Sequence, residues 1–111
     1  MCNPEDIVRL RHMLDAALKI VEYTQKCSRS DLDKDEKLNL AVVRLLEVLG
    51  EAAKNVSDPC QAAYPEIPWR QIAGTRDRLI HGYFDVDLDI IWRIVSTDLP
   101  PLVEQLKKAL S

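Results

Sequence analysis

Residues 38–56 read LNLAVVRLLEVLGEAAKNV. Leu38, Ala41, Val42, Leu45, Val48, Leu49, Ala52 and Val56 recur at steps of three and four, the period of one buried face of an α-helix. Leu40, Val43 and Leu46 add apolar surface beyond that stripe, which fits a helix touching two neighbours, or one neighbour and a second subunit. Gly50-Glu51-Ala52-Ala53 gathers small residues at its middle and lets another helix approach closely. Ser30-Asp31-Leu32-Asp33 supplies a capped start and Ser57-Asp58-Pro59 a stop, so the pattern predicts one helix across this whole region.

Working outward, Asn3-Pro4-Glu5-Asp6 has the form of a helix start, with Asn as cap, Pro in the first turn and acids at the positive end of the helix dipole. Ile7, Leu10, Leu14, Leu18 and Val21 continue it for about 24 residues, to just before Cys27-Ser28. After a loop through Tyr64-Pro65-Glu66-Ile67-Pro68, with a short turn around Cys60 to Ala63, a third helix is predicted from Trp69 to about His81, capped by Gly82. Tyr83 to Val86 reads as a connector. Asp87 then caps a last helical region carrying Leu88, Ile91, Trp92, Val95, Leu99, Leu102, Val103, Leu106 and Leu110. Either Asp98 caps a new helix there, or Pro100-Pro101 kink a single one.

Length and composition agree with this reading. The chain has 111 residues, 47% hydrophobic and 30% charged, with 3 Gly and 5% aromatics, which fits a single helical domain over residues 1–111. The expected fold is all-α, a four- to five-helix up-and-down bundle. A domain this small covers wide apolar faces more fully by pairing two copies, so a homodimer is expected. No run approaches the roughly 18 apolar residues of a membrane span, and a basic leader is missing, so the expected location is cytoplasmic, with no membrane partner. Cys2, Cys27 and Cys60 are odd in number, widely spaced and without a C-x-x-C pair; they read as free thiols. His12 and His81 lack metal-ligand spacing, and neither a metal nor a cofactor is expected.

The net charge of -3 argues against broad electrostatic binding of nucleic acid. Local charge differs: from Arg70 to Tyr83 the chain carries Arg70, Arg76, Arg78 and His81 against Asp77 alone, a patch able to hold one or a few phosphates. Arg76 falls on the apolar stripe of Trp69, Ile72, Leu79 and Ile80, where a leucine would be ordinary. A cation there needs an internal carboxylate, for which Glu51 is a candidate, or a groove that takes an anionic ligand.

Cleavage of RNA would use these residue types. The ribose 2'-hydroxyl must lose a proton and attack phosphorus through an anionic transition state; a histidine moves the proton and an arginine holds the phosphoryl oxygens. Asp77, four residues before His81, would orient the imidazole on a continuous helix. On that same helix Arg76 and His81 diverge by roughly 140 degrees, so convergence requires unwinding near Gly82 or residues from two subunits. A purely structural reading makes Arg76 an ion-pair partner, His81 a polar helix end and Tyr83 a partly buried aromatic.

The run Arg76-x-x-x-x-His81-x-Tyr83, preceded by Ile67-Pro68-Trp69-Arg70 and followed by Phe84-Asp85-Val86-Asp87, closely resembles HepT-like proteins of the HEPN superfamily. Gly50-Glu51-Ala52-Ala53 and the Trp92 helix extend the similarity over nearly the whole chain. The resemblance implies a dimeric, HEPN-like helical ribonuclease that needs no metal, the toxin of a type VII toxin-antitoxin pair. Arg76 and His81 match the catalytic positions, Asp77 a polar position that is commonly Asn or Asp, and Arg70 and Arg78 would contact RNA phosphates. The implied partner is an MntA-like nucleotidyltransferase antitoxin that transfers AMP to Tyr83. The alternatives are a HEPN module that binds a nucleotide or partner without cutting, and a purely structural dimer.

Overall fold

A computed structural model describes residues 1–81 and 85–111; at Arg76, Ile80 and His81 it describes the backbone alone. Helix α1 spans Pro4–Thr24 and starts as its sequence requires. The Asp6 amide donates to the Asn3 side chain at 2.7 Å and the Asn3 amide to the Asp6 carboxylate at 3.0 Å, a reciprocal capping box. Leu10, Met13, Ala17 and Ile20 are fully buried along its inner face.

The long second helix expected from Ser30 is two helices, α2 (Arg29–Lys34) and α3 (Glu36–Lys54). Asp35 makes the break: its amide closes α2 on the Asp31 carbonyl at 2.9 Å, while its carboxylate accepts the Leu38 amide at 3.1 Å and opens α3. An N-cap residue immediately before the apolar stripe starts the long helix at Asp35 instead of at Ser30. Helix α3 lies against α1 on one side and against the later helices on another, as its wide stripe implies. At Gly50 an added Cβ would stand 3.0 Å from the Ile72 carbonyl oxygen, so the small-residue segment does permit close approach.

Helix α4 (Asp58–Ala63) follows, then α5 (Trp69–Ala73) and α6 (Thr75–Leu79), a two-strand ribbon of β1 (Ile80–His81) and β2 (Asp85–Val86), and α7 (Leu88–Arg93). The chain then winds through a π-helical segment, Ile94–Asp98, into α8 (Leu99–Leu110). Asp98 has helical backbone angles and makes no side-chain capping bond, so no new helix starts there. The Leu99 amide instead reaches the Ile94 carbonyl, and this wider turn sits just where Pro100 and Pro101 cannot donate. The fold is an all-α bundle carrying one short ribbon.

Two of the three cysteines depart from the expectation of free thiols: Cys2 and Cys60 form a disulfide across 58 residues, and Cys27 alone is free. The pairing needs the chain start to lie on the beginning of α4. Asp6 secures that contact, accepting the Ser57 amide at 2.9 Å and the Ser57 hydroxyl at 2.7 Å. No helix among the described residues is long and apolar enough to cross a membrane.

Candidate active site

The segment carrying the candidate residues is pinned at both ends. At its start the Trp69 indole N–H is shared between the carbonyls of Tyr64, at 3.0 Å, and Gln61, at 3.1 Å. These bonds fix α5 to the end of α4 while Ile72 packs into the core. The helix expected from Trp69 to His81 breaks at Gly74, whose amide ends α5 on the Arg70 carbonyl at 3.0 Å. Buried Thr75 restarts it, its hydroxyl donating to the Gln71 carbonyl at 3.2 Å. Helix α6 then runs only to Leu79, whose side chain is wholly buried. Burying a leucine is worth roughly 2 kcal/mol, enough to fix how this short helix sits.

Beyond Leu79 the chain is extended. Ile80 pairs with Val86 and His81 with Asp85 in an antiparallel ribbon. The Asp87 amide donates to the Leu79 carbonyl at 2.8 Å and closes the base of the ribbon. The Asp87 carboxylate accepts the amides of Asp89 and Ile90 at 3.1 and 3.2 Å, capping α7 as its sequence predicts. Asp89 is held in turn by Arg29, at 2.7 Å, and Arg29 also binds Asp33 at 2.9 Å, joining α7 to α2. The Arg29 guanidinium is pushed above its usual range by the Asp89 hydrogen bond first and by nearby Asp33 as well. The ribbon therefore lies between two helices that are fastened to the body.

The candidate residues fall as follows. Arg76 and Asp77 ride on α6, Asp77 exposed, and His81 is in β1. The helical spacing that linked Asp77 to His81 ends at Leu79, and so does the calculated divergence of Arg76 from His81. Unwinding does occur, but upstream of Gly82; Gly82 as a cap and Tyr83 as a modified residue lie outside the described residues. Arg70 is exposed on α5. Arg78 is half-buried at a narrow cleft with Gln71, Thr75 and Asp98, whose volume of about 30 Å³ suits a water molecule and not a nucleotide. Glu51, the candidate interior carboxylate, is exposed on α3, its oxygen 3.4 Å from the Asn55 amide nitrogen.

Two features lay beyond the sequence reading. An open groove of about 310 Å³ between α1 and α3 gathers Arg9, His12 and Arg44 with Glu47 and Glu51. These residues are far apart in the chain, and only helix packing reveals them as neighbours. The other is the ribbon itself, too short to show alternation. Cys2, Asp6 and Cys60 also meet, but the sulfurs are bonded to one another and both Asp6 oxygens already accept hydrogen bonds.

A helical bundle that delivers an arginine on a short helix and a histidine on the strand after it is the architectural class of this protein. The family model described as Ribonuclease HepT-like matches residues 13–109. A protein of Thermococcus cleftensis named "Probable ribonuclease HepT" is 40% identical over 99 residues, covering 89% of this chain and 90% of that one. One of Caldanaerobacter subterraneus subsp. tengcongensis named "Putative RNase TTE0752" is 40% identical over 101 residues, covering 91% of this chain and 90% of the relative. No solved structure matches the chain with statistical support. The chain belongs to the HepT-like ribonuclease family.

Proposed function

We propose that the protein is a metal-independent RNA endonuclease in which His81 and Arg76 carry the chemistry. His81 takes the proton from the ribose 2'-hydroxyl; the 2'-oxygen attacks phosphorus, the bond to the 5'-oxygen breaks, and the departing oxygen is protonated. The products are a 2',3'-cyclic phosphate and a free 5'-hydroxyl. Arg76 neutralises the charge that gathers on the phosphoryl oxygens, and Arg70 and Arg78 hold flanking phosphates. Asp77 lends polar support.

The observation that carries this reading is the end of α6 at Leu79, which frees position 81 from the helical phase of position 76. Family membership supports RNA as the substrate. RNA also makes the cytoplasm the place of action. A homodimer is the working form; Val8, Leu18, Val21 and Tyr23 of α1 and Leu40 of α3 are exposed apolar side chains that a second copy could cover. In the cell the enzyme is the toxin of a type VII pair, silenced when an MntA-like nucleotidyltransferase adds AMP to Tyr83. The added phosphates repel the RNA backbone from a motif two residues away.

Purified wild-type protein and His81→Ala are to be compared on RNA in the presence of chelator. Cleavage by the wild type alone, with both proteins equally dimeric, is the expected result. Equal activity in the two would remove His81 from the chemistry, and an inert wild type would return the chain to a binding module. Incubation with ATP and the nucleotidyltransferase should label wild type but not Tyr83→Phe, and only labelled protein should stop cutting.

A further inference from the structure

We infer that the reduced protein binds a zinc ion through Cys2, Asp6 and Cys60. The two sulfurs and a carboxylate oxygen of Asp6 lie within 4.8 Å of one another, a spacing that one metal ion spans. Cys60 and Asp6 are buried and Cys2 is half-buried. The three come from the residue ahead of the α1 cap, the first turn of α1 and helix α4, so folding assembles them where sequence spacing does not. In the oxidised protein the sulfurs are bonded to each other and offer no thiolate. A thiol or dithiol reductant of the glutathione or thioredoxin class supplies two electrons and two protons. The S–S bond breaks, two thiols form, and the reductant leaves as its own disulfide.

Asp6 keeps room for a metal. Its Oδ1 accepts the Ser57 amide at 2.9 Å, and its Oδ2 accepts the Asn3 amide at 3.0 Å and the Ser57 hydroxyl at 2.7 Å. An ionised carboxylate has about four acceptor positions, so one is left, on Oδ1. Two thiols beside this fixed negative charge resist ionisation on their own, and a divalent cation removes that repulsion. On binding, each thiol gives its proton to water and becomes a thiolate ligand. Two soft thiolates select zinc over magnesium or calcium. Two sulfurs and one oxygen fill three positions of a tetrahedral ion, and water takes the fourth. Zinc–sulfur bonds of about 2.3 Å set the sulfurs about 3.8 Å apart, so they separate as the ion enters. Cys2 lies outside helix α1, ahead of its Asn3 cap, and can turn without unwinding it. Positions 76–83 take no part, so the site stands whether or not the protein cuts RNA.

The test titrates Zn2+ against a competing chromophoric chelator, using full-length protein reduced with a phosphine and kept free of oxygen. Wild type, Cys27→Ser, Cys2→Ser and Asp6→Asn are compared, with oxidised wild type as the blank. Reduced wild type and Cys27→Ser should each bind one ion per chain, and Zn2+ should raise their melting temperatures. Asp6→Asn should bind about tenfold more weakly, and Cys2→Ser about a hundredfold or more. Cys2→Ser keeps the bonds between Asp6 and Ser57, so it decides the matter if Asp6→Asn fails to fold. Failure of the reduced, folded protein to take up zinc would overturn the inference. So would equal uptake by the oxidised protein, one ion shared by two chains, or full affinity in folded Cys2→Ser or folded Asp6→Asn.

Discussion

The Asp87 amide donates a 2.8 Å hydrogen bond to the Leu79 carbonyl, and through it the last turn of α6 is joined to the first turn of α7. The Asp87 side chain serves the other direction, capping α7 through Asp89 and Ile90. One residue thus closes the ribbon and begins a helix. Asp87→Ala keeps the amide and loses the cap, and should cost about 1 kcal/mol in urea unfolding, while Asp87→Asn should lie within a few tenths of wild type. An alanine variant as stable as wild type would show that α7 does not need this cap.

Gly50 faces the Ile72 carbonyl at a distance a methyl group cannot share comfortably. Gly50→Ala gains about 1 kcal/mol of helix propensity but must push α5 away from α3, and overpacking typically costs about 1–3 kcal/mol. The expected outcome is net destabilisation and a reduced cleavage rate, because α5 leads directly into α6. Chemical denaturation and an RNA assay on the same preparation check both.

The Cys2–Cys60 bond spans 58 residues, and the chain-entropy relation gives about 4 kcal/mol for a loop of that length. Reduction, or Cys60→Ser, should therefore lower the melting temperature markedly. Thiol labelling of the unfolded protein should count one reactive cysteine before reduction and all 3 after it. Equal melting curves with and without reductant would show that packing alone holds the amino terminus.

Asp6 supplies a pH dependence of known sign. The Ser57 amide, chiefly, with Asn3 and the Ser57 hydroxyl, holds its carboxyl below the ordinary value of 3.8, against an opposing push from burial. A depressed folded value means that the stabilisation is complete above the unfolded value and disappears as pH falls through the folded one. Stability from this group should thus be flat near neutrality and decline below about pH 4, and Asp6→Asn should flatten that acid limb. Melting curves between pH 2 and pH 7 give the comparison.

The parts of the fold that could be read from sequence are those decided locally. Asn3 and Asp87 cap helices because the amides they accept lie within three residues along the chain. The wide stripe of α3 foretold contacts on more than one side. Asp35 escaped because Ser30-Asp31 offers a cap of the same kind a few residues earlier, and the apolar stripe that marks the helix begins only at Leu38. The ribbon escaped because its closure depends on Leu79 and Asp87 meeting, and the disulfide because it requires the chain start to reach α4. For the candidate site, residue types and spacing single out Arg76, Asp77 and His81, but the phase between them was assigned from a helix that stops two residues early.

The sulfur link also divides the polypeptide into a ring and a tail. Residues 2–60 form a covalently closed circuit, whereas everything from α5 onward, including the whole motif, is attached covalently at one point and otherwise by noncovalent contacts such as the Arg29–Asp89 ion pair. A protease nick within the circuit leaves the pieces tethered, so a nonreducing gel shows an undivided molecule. A nick between Cys60 and Arg76 separates the arginine and histidine together from the ring. Loss of the candidate motif and survival of the scaffold are then separable events in the same digest.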